Sequence, residues 1–195
     1  MPGKQAKVLT PGQLQTALRA AGKGKHGLRN QVMLLLSIKA GLRAGEIAGL
    51  TWEMVSTADG KIASQIGLED RIAKKRSGRV IPMHAELKTA LLKLKKQAGR
   101  FSEPSDRVVR SERGEAMRAT SVVNWFHSFY QRVGFEGCSS HSGRRTFITR
   151  AARLVAKAGG SLRDVQILAG HRSIDQTQAY IDGDERSQRR LVALL

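Results

Sequence analysis

The run VMLLLSI at residues 32–38 is seven residues without a charge, set inside LRNQVMLLLSIKA, which reads as one helix apolar on most of its faces. Such a helix has no side to turn to water, so the rest of the chain must wrap around it. The flanking sequence supplies wrappers. Thr10-Pro11 is an N-cap and first-turn pair opening the amphipathic GQLQTALRAA, which the run GKGKHG (22–27) breaks. HAELKTALLKLKKQ, VVNWFHSFYQRV and HSGRRTFITRAARLVAKA return to helical spacing, with Thr120 or Ser121 as the expected cap of the second of these. SLRD (161–164) and SIDQ (173–176) each place a serine three before an acid or amide, the latter matching the capping box and the former a close variant of it. Within the stretch 53–83, KIASQIGLED and RVIPM are β-leaning, separated by the basic turn RIAKKRSG. The expectation is a mainly α chain with a small antiparallel sheet of two or three strands inserted early, an α+β fold in one domain over residues 1–195.

The same run is too short to cross a membrane, which takes about 18–20 apolar residues, and MPGKQAK at the start has charge without the apolar region of a secretory signal. One cysteine, Cys138, excludes an internal disulfide and a thiolate zinc site, and suits a reducing cytoplasm. The charge balance is the informative part of the composition: 34 Lys and Arg against 16 Asp and Glu, a formal +18. A chain so basic attracts polyanions, and nucleic acid is the expected partner rather than a membrane.

Six residues stand where elements begin, end or turn, the usual seats of function on a scaffold. Arg43 lies in AGLRAGEIAGL, just after the apolar helix. Lys74 lies in the basic turn. His141 and Arg144 share HSGRRTF, His171 follows Gly170, and Tyr180 comes nine residues later. Two arginines can each donate two hydrogen bonds to the non-bridging oxygens of a phosphodiester under attack. A lysine or histidine can pass protons to and from the reacting oxygens. A tyrosine can attack and hold the phosphate as a covalent ester. Fixed cations stabilise the added charge, so the set calls for no metal and no cofactor.

AGLRAGEIAGL, HSGRRTFITR and LAGHRSIDQTQAYID resemble the signature boxes of the tyrosine recombinase (phage integrase) family, and the resemblance covers roughly residues 8–183. It implies the catalytic-domain fold of that family and a role for each position. Arg43 and Arg144 clamp the scissile phosphate, His141 assists proton transfer from the tyrosine, and His171 hydrogen-bonds the phosphate. Lys74 protonates the leaving 5′-oxygen, and Tyr180 attacks to give a 3′-phosphotyrosyl link. Glu46, three after the first arginine, orients its neighbours. Lys75 stands beside Lys74, and one register shift exchanges them as the general acid. Lys75, Arg76, Arg145 and Arg172 are candidates for DNA contact, Arg145 turning away from Arg144 toward solvent or DNA. Implied too are double-stranded DNA as substrate, a homo-tetramer on paired sites joined through a Holliday junction, and an accessory DNA-binding protein or a second recombinase. The setting implied is cytoplasmic and nucleoid-associated. Integration, excision and inversion all fit.

Other residues read as structural. Tyr130, the other of the two tyrosines, falls with Trp125, Phe126 and Phe129 in an aromatic stripe at helical spacing, which packs a core. His26, His84 and His127 have no supporting motif. Two departures from the family stand out. Its separate N-terminal core-binding domain has no counterpart in these residues, and the segment 184–195, with RRLVALL, is a short tail. A type IB topoisomerase-like relaxing enzyme and a non-catalytic DNA-binding accessory protein are the alternative functions.

Overall fold

The computed structural model describes residues 6–73, 77–114, 116–180 and 192–193. The apolar run lies within α2 (Gly27–Lys39), and every residue from Val32 to Ile38 is buried. Around it pack α1 (Pro11–Ala21), α3 (Ala44–Gly49), α4 (Ala85–Ala98) and α6 (Ser142–Leu154). The α5 helix (Ala119–Arg132) seats against α3, burying Val122, Phe126, Phe129 and Tyr130 while Trp125 keeps partial exposure. The α1 start is as expected: Thr10 caps it and Gln13 reaches back to the Thr10 N–H at 3.0 Å.

The sheet has two strands among the described residues, β1 (Gln65–Leu68) and β2 (Arg79–Pro82), antiparallel with Ile66 opposite Ile81. In β2 the buried positions are Arg79 and Ile81, so a cation occupies the inward face. The polar stretch after α4 is pinned rather than loose. Val108 donates to the Leu50 carbonyl at 3.0 Å, Trp52 to that of Asp106 at 3.1 Å, and Val108 and Val109 enter the core. That pinning moves the start of α5. Ala116 bridges Arg110 and Met117 donates to the Val109 carbonyl, which keeps the chain extended through Arg118; the helix begins at Ala119, and Thr120 and Ser121 sit inside its first turn instead of capping it.

A second, smaller apolar cluster forms beside the core from Ile148 on α6 and Val165 and Ala169 on α7 (Leu162–Ala169), with Phe147 and Tyr180 packed against it. Ser161 caps α7 with Asp164 as expected. Ser173 does not cap α8 (Asp175–Gln178): the N-cap there is Ile174, and the helix ends before Tyr180. The turn is held instead by the buried Thr177, whose N–H donates to the Ile174 carbonyl at 2.8 Å and whose hydroxyl bonds to His171. No helix among the described residues is long and apolar enough to cross a membrane.

Tyr130 gives a test of this core. Its hydroxyl is buried with no hydrogen-bond partner among the described residues, and burial raises its pKa. Removing an unsatisfied polar atom at constant shape costs little or stabilises. Tyr130→Phe is expected to unfold in denaturant within about 1 kcal/mol of the parent, or later.

Candidate active site

The site begins with a turn that only a glycine makes easily. Gly41 ends the link from α2 with φ +66°, and a Cβ there would lie 2.4 Å from the Phe147 ring of α6. This lets α6 press onto the segment that carries Arg43. Arg43 is the N-cap of α3, and Glu46, at N3, accepts from its backbone N–H at 2.9 Å and from its guanidinium at 2.9 Å.

Glu46 has a second partner. Arg79 of β2 donates Nη1 to Oε1 at 3.0 Å and Nη2 to Oε2 at 3.1 Å, a two-point pair with both side chains almost wholly buried. Burial works against the Glu46 charge, but the hydrogen bonds and positive charge of Arg79 and Arg43 outweigh it, and its pKa falls below the ordinary carboxylate value. The Nε of Arg79 donates to the Leu168 carbonyl at 2.8 Å, near the end of α7.

Arg144 takes the next carbonyl. On α6, buried, it donates Nη2 to the Ala169 carbonyl at 2.7 Å and Nη1 to that of Gly41 at 2.6 Å. Two guanidiniums thus satisfy consecutive carbonyls at the negative end of α7. Burial, and repulsion from Arg43, lower the Arg144 pKa to about 10, which leaves it protonated at neutral pH. The α7 helix closes on Gly170 in the left-handed region at φ +63°, where a Cβ would meet Arg79 Nη1 at 2.9 Å.

His171 follows directly, its N–H donating to the Gln166 carbonyl at 3.1 Å and its Nδ1 hydrogen-bonded to Thr177 Oγ1 at 2.9 Å. Burial, then the charges of Arg144, Arg43 and Arg79, push its pKa down to about 4, so the ring is neutral at pH 7. With the Thr177 hydroxyl donating to Nδ1, the proton of the neutral ring is on Nε2, which makes that nitrogen a donor. The Tyr180 ring stacks on His171, centroids 5.6 Å apart and planes 22° off parallel.

The structure therefore brings Arg43, Glu46, Arg144, His171 and Tyr180 together. His141 stands at the exposed N-cap of α6, three residues before Arg144 and so on the same helical face. Arg172 is exposed beside His171. Arg145 does not turn away from this centre: its guanidinium carbon lies 5.7 Å from the centroid of the Tyr180 ring, because α6 packs on the cluster that holds Tyr180. Lys74, Lys75 and Arg76 lie outside the described residues, as does most of the tail 184–195. The residue that sequence reading passed over is Arg79, used there only to mark the strand. The signal was available: RVIP alternates, and a cation in phase with Ile81 points inward and calls for a buried acid.

Comparisons with known proteins identify the family and the fold. The model of the phage integrase family matches residues 7–186, and the chain belongs to that family. Among curated relatives, tyrosine recombinase XerD of Pseudomonas aeruginosa is 31% identical over 164 residues, 79% of this chain and 49% of its own length. XerD of Vibrio cholerae is 29% identical over 92% of this chain and 58% of its own. The chain thus spans about half the length of the curated relatives it matches. Among solved structures, XerA recombinase superposes with a TM-score of 0.74 at 19% identity, over 100% of this chain and 65% of that one. The Tn1549 transposon integrase in complex with a circular intermediate DNA superposes at 0.77 and 21%, over 100% and 67%. The fold is that of these recombinases, mainly α with a small antiparallel sheet.

Two outcomes follow. Glu46→Ala leaves the Arg79 charge buried without its acid, and should destabilise the fold by about 3–5 kcal/mol in denaturant unfolding, with Glu46→Gln milder. His171 should stay neutral in an NMR titration down to about pH 4. Because the unfolded ring takes up its proton near 6.5, the stability due to His171 is full above that pH and is lost as pH falls from 6.5 toward 4. His171→Asn should flatten that part of the pH–stability curve.

Proposed function

We propose that this chain is the catalytic domain, over residues 1–195, of a site-specific DNA recombinase that breaks and rejoins strands through a tyrosyl ester. The observation that carries the reading is the convergence of Arg43, Arg144, a neutral His171 and Tyr180 around the end of α7. A phosphodiester under attack gains negative charge on its non-bridging oxygens. Arg43 and Arg144 supply planar donors for them, and uncharged His171 adds a hydrogen bond without a further cation. The Tyr180 phenol oxygen attacks phosphorus and gives up its proton toward His141. The bond to the 5′-oxygen breaks, and that oxygen takes a proton from Lys74 or Lys75. The products are a 3′-phosphotyrosyl ester and a free 5′-hydroxyl. The ester keeps the bond energy, so the 5′-hydroxyl of another strand reverses the step and completes an exchange.

Glu46 and Arg79 act through others. The Glu46 carboxylate fixes Arg43 at the head of α3, and Arg79 ties that pair to the turn bearing His171. The DNA reading draws on the +18 charge and on solved structures of similar fold, which include XerH bound to difH and a lambda integrase dimer bound to a COC′ core site. Four copies on two DNA sites, with an accessory protein or a second recombinase, and exposed Arg172 on the DNA backbone, complete the proposal.

Trapping on a nicked substrate tests it. Cleavage a few nucleotides from a nick in the same strand releases a short 5′-hydroxyl fragment that diffuses away, so the protein remains on the DNA through SDS. The parent should form this adduct and Tyr180→Phe should not, while Arg43→Ala and Arg144→Ala should each slow it by at least about 100-fold. An undiminished adduct in Tyr180→Phe, or no adduct with any DNA carrying the parent's attachment sites, contradicts the proposal.

A further inference from the structure

The glycine-punctuated run GKGKHG has no part in the chemistry above, yet it is built with care. Gly22 donates to the Leu18 carbonyl, Lys23 to that of Ala20, and Gly27 to that of Gly24, whose φ is +82°. A Cβ on Gly27 would meet the Gly22 oxygen at 2.2 Å, so the loop doubles back tightly on itself. The loop thereby holds Lys23, Lys25 and His26 on the wall of a cavity of about 560 Å³. Arg29, Arg132 and Trp125 line the same cavity, with Glu112 as its one acid among the described residues.

The charges and rings there are arranged unevenly. Glu112 faces His26 at 3.7 Å, and Arg29 is committed to the Arg110 carbonyl and to Asn30. Lys23, Lys25 and Arg132 are exposed, and none has an ion pair among the described residues. Trp125 stacks on the buried Phe129 at 4.9 Å and 9°, which fixes its plane while leaving it partly open to the cavity. A second hollow of about 180 Å³ continues the groove past Lys25 to Phe101, whose ring carries the Arg110 guanidinium at 4.2 Å. Cations with no acid partner among the described residues, beside immobilised aromatic faces in a concavity of ligand size, match the way single strands are held: phosphates on the cations, bases on the rings.

The groove is not the reacting centre. It opens at the N-terminal end of α2, whereas Gly41 and Arg43 follow its C-terminal end, and thirteen helical residues set the two roughly 20 Å apart. We propose that this groove is a second nucleic-acid site, which takes a single DNA strand with a base against Trp125 and phosphates on Lys23, Lys25 and Arg132. The identity of the strand as DNA rests on the recombinase reading, since cutting and exchange expose such strands. The groove itself rests on its own geometry.

Trp125 reports on it directly, because the other tryptophan, Trp52, is buried in the core. A ten-nucleotide thymidine strand should quench the parent's tryptophan emission saturably, and Trp125→Phe should abolish the quenching and weaken binding by about fivefold or more. The triple variant Lys23→Ala, Lys25→Ala, Arg132→Ala should lower the slope of log affinity against log salt by about 2, near 0.7 per lost phosphate contact. The tyrosyl adduct on nicked DNA, measured on the same triple variant, should stay within about twofold of the parent; retained quenching without any adduct formation in the parent would fault the recombinase reading and leave this site standing. Three results overturn it: no quenching by the strand, adduct formation that falls in step with quenching, or poly-glutamate that protects Trp125 and is not displaced by the strand. The last would make the groove a seat for an acidic protein segment.

Discussion

Three guanidiniums, those of Arg43, Arg79 and Arg144, gather at one place in this fold, where burial first and then the charges of Arg43 and Arg79 lower the pKa of Arg144. One buried carboxylate, Glu46, makes that gathering possible. It takes two hydrogen bonds from Arg43 and two from Arg79, and its own charge survives burial because those cations hold it. A buried carboxylate with its lone pairs satisfied is a rigid part, whereas one partner removed leaves an isolated charge. The helix α3, strand β2 and the end of α7 are positioned with respect to each other through this one side chain and the arginine that spans it.

The end of α7 is the second constraint. Its last carbonyls carry partial negative charge and need donors. Arg79 and Arg144 supply them at Leu168 and Ala169. Each arginine is thereby partly spent on structure, and in exchange its plane is fixed before any ligand arrives. The left-handed Gly170 then turns the chain so that His171 is partly buried in the same positive field, and burial together with those charges keeps its ring neutral. A site meant for a single added negative charge gains from a donor that does not add a fourth cation.

How far this was legible in the sequence follows from the range of the interactions. The apolar run fixed its own fate, since nothing but burial suits VMLLLSI, and the Thr10 and Ser161 caps depend on residues three positions away. The motif residues Arg43, Arg144, His171 and Tyr180 were readable from their local boxes, and the chain brings them together. What needed coordinates was non-local. The start of α5 is set by the pairing of Met117 with Val109, not by Thr120 or Ser121, and the turn before Tyr180 is set by Thr177 and His171, not by Ser173. Arg79 and Glu46 are 33 residues apart, and their pairing appears only once the fold brings the two side chains together. The direction of Arg145 likewise depends on how α6 packs against the Tyr180 cluster.

The claim on which the rest stands is that Tyr180 bonds covalently to DNA, and the chain is well made for locating that bond, because it has two tyrosines in separate tryptic peptides. Residues 173–186 contain Tyr180 alone and residues 119–132 contain Tyr130 alone. Mass spectrometry of the protein trapped on nicked DNA, after trypsin and nuclease digestion, should find the nucleotide remnant on the 173–186 peptide, joined through a 3′-phosphate. A remnant on 119–132, or a trapped complex whose two tyrosine peptides are both unmodified, would contradict the account.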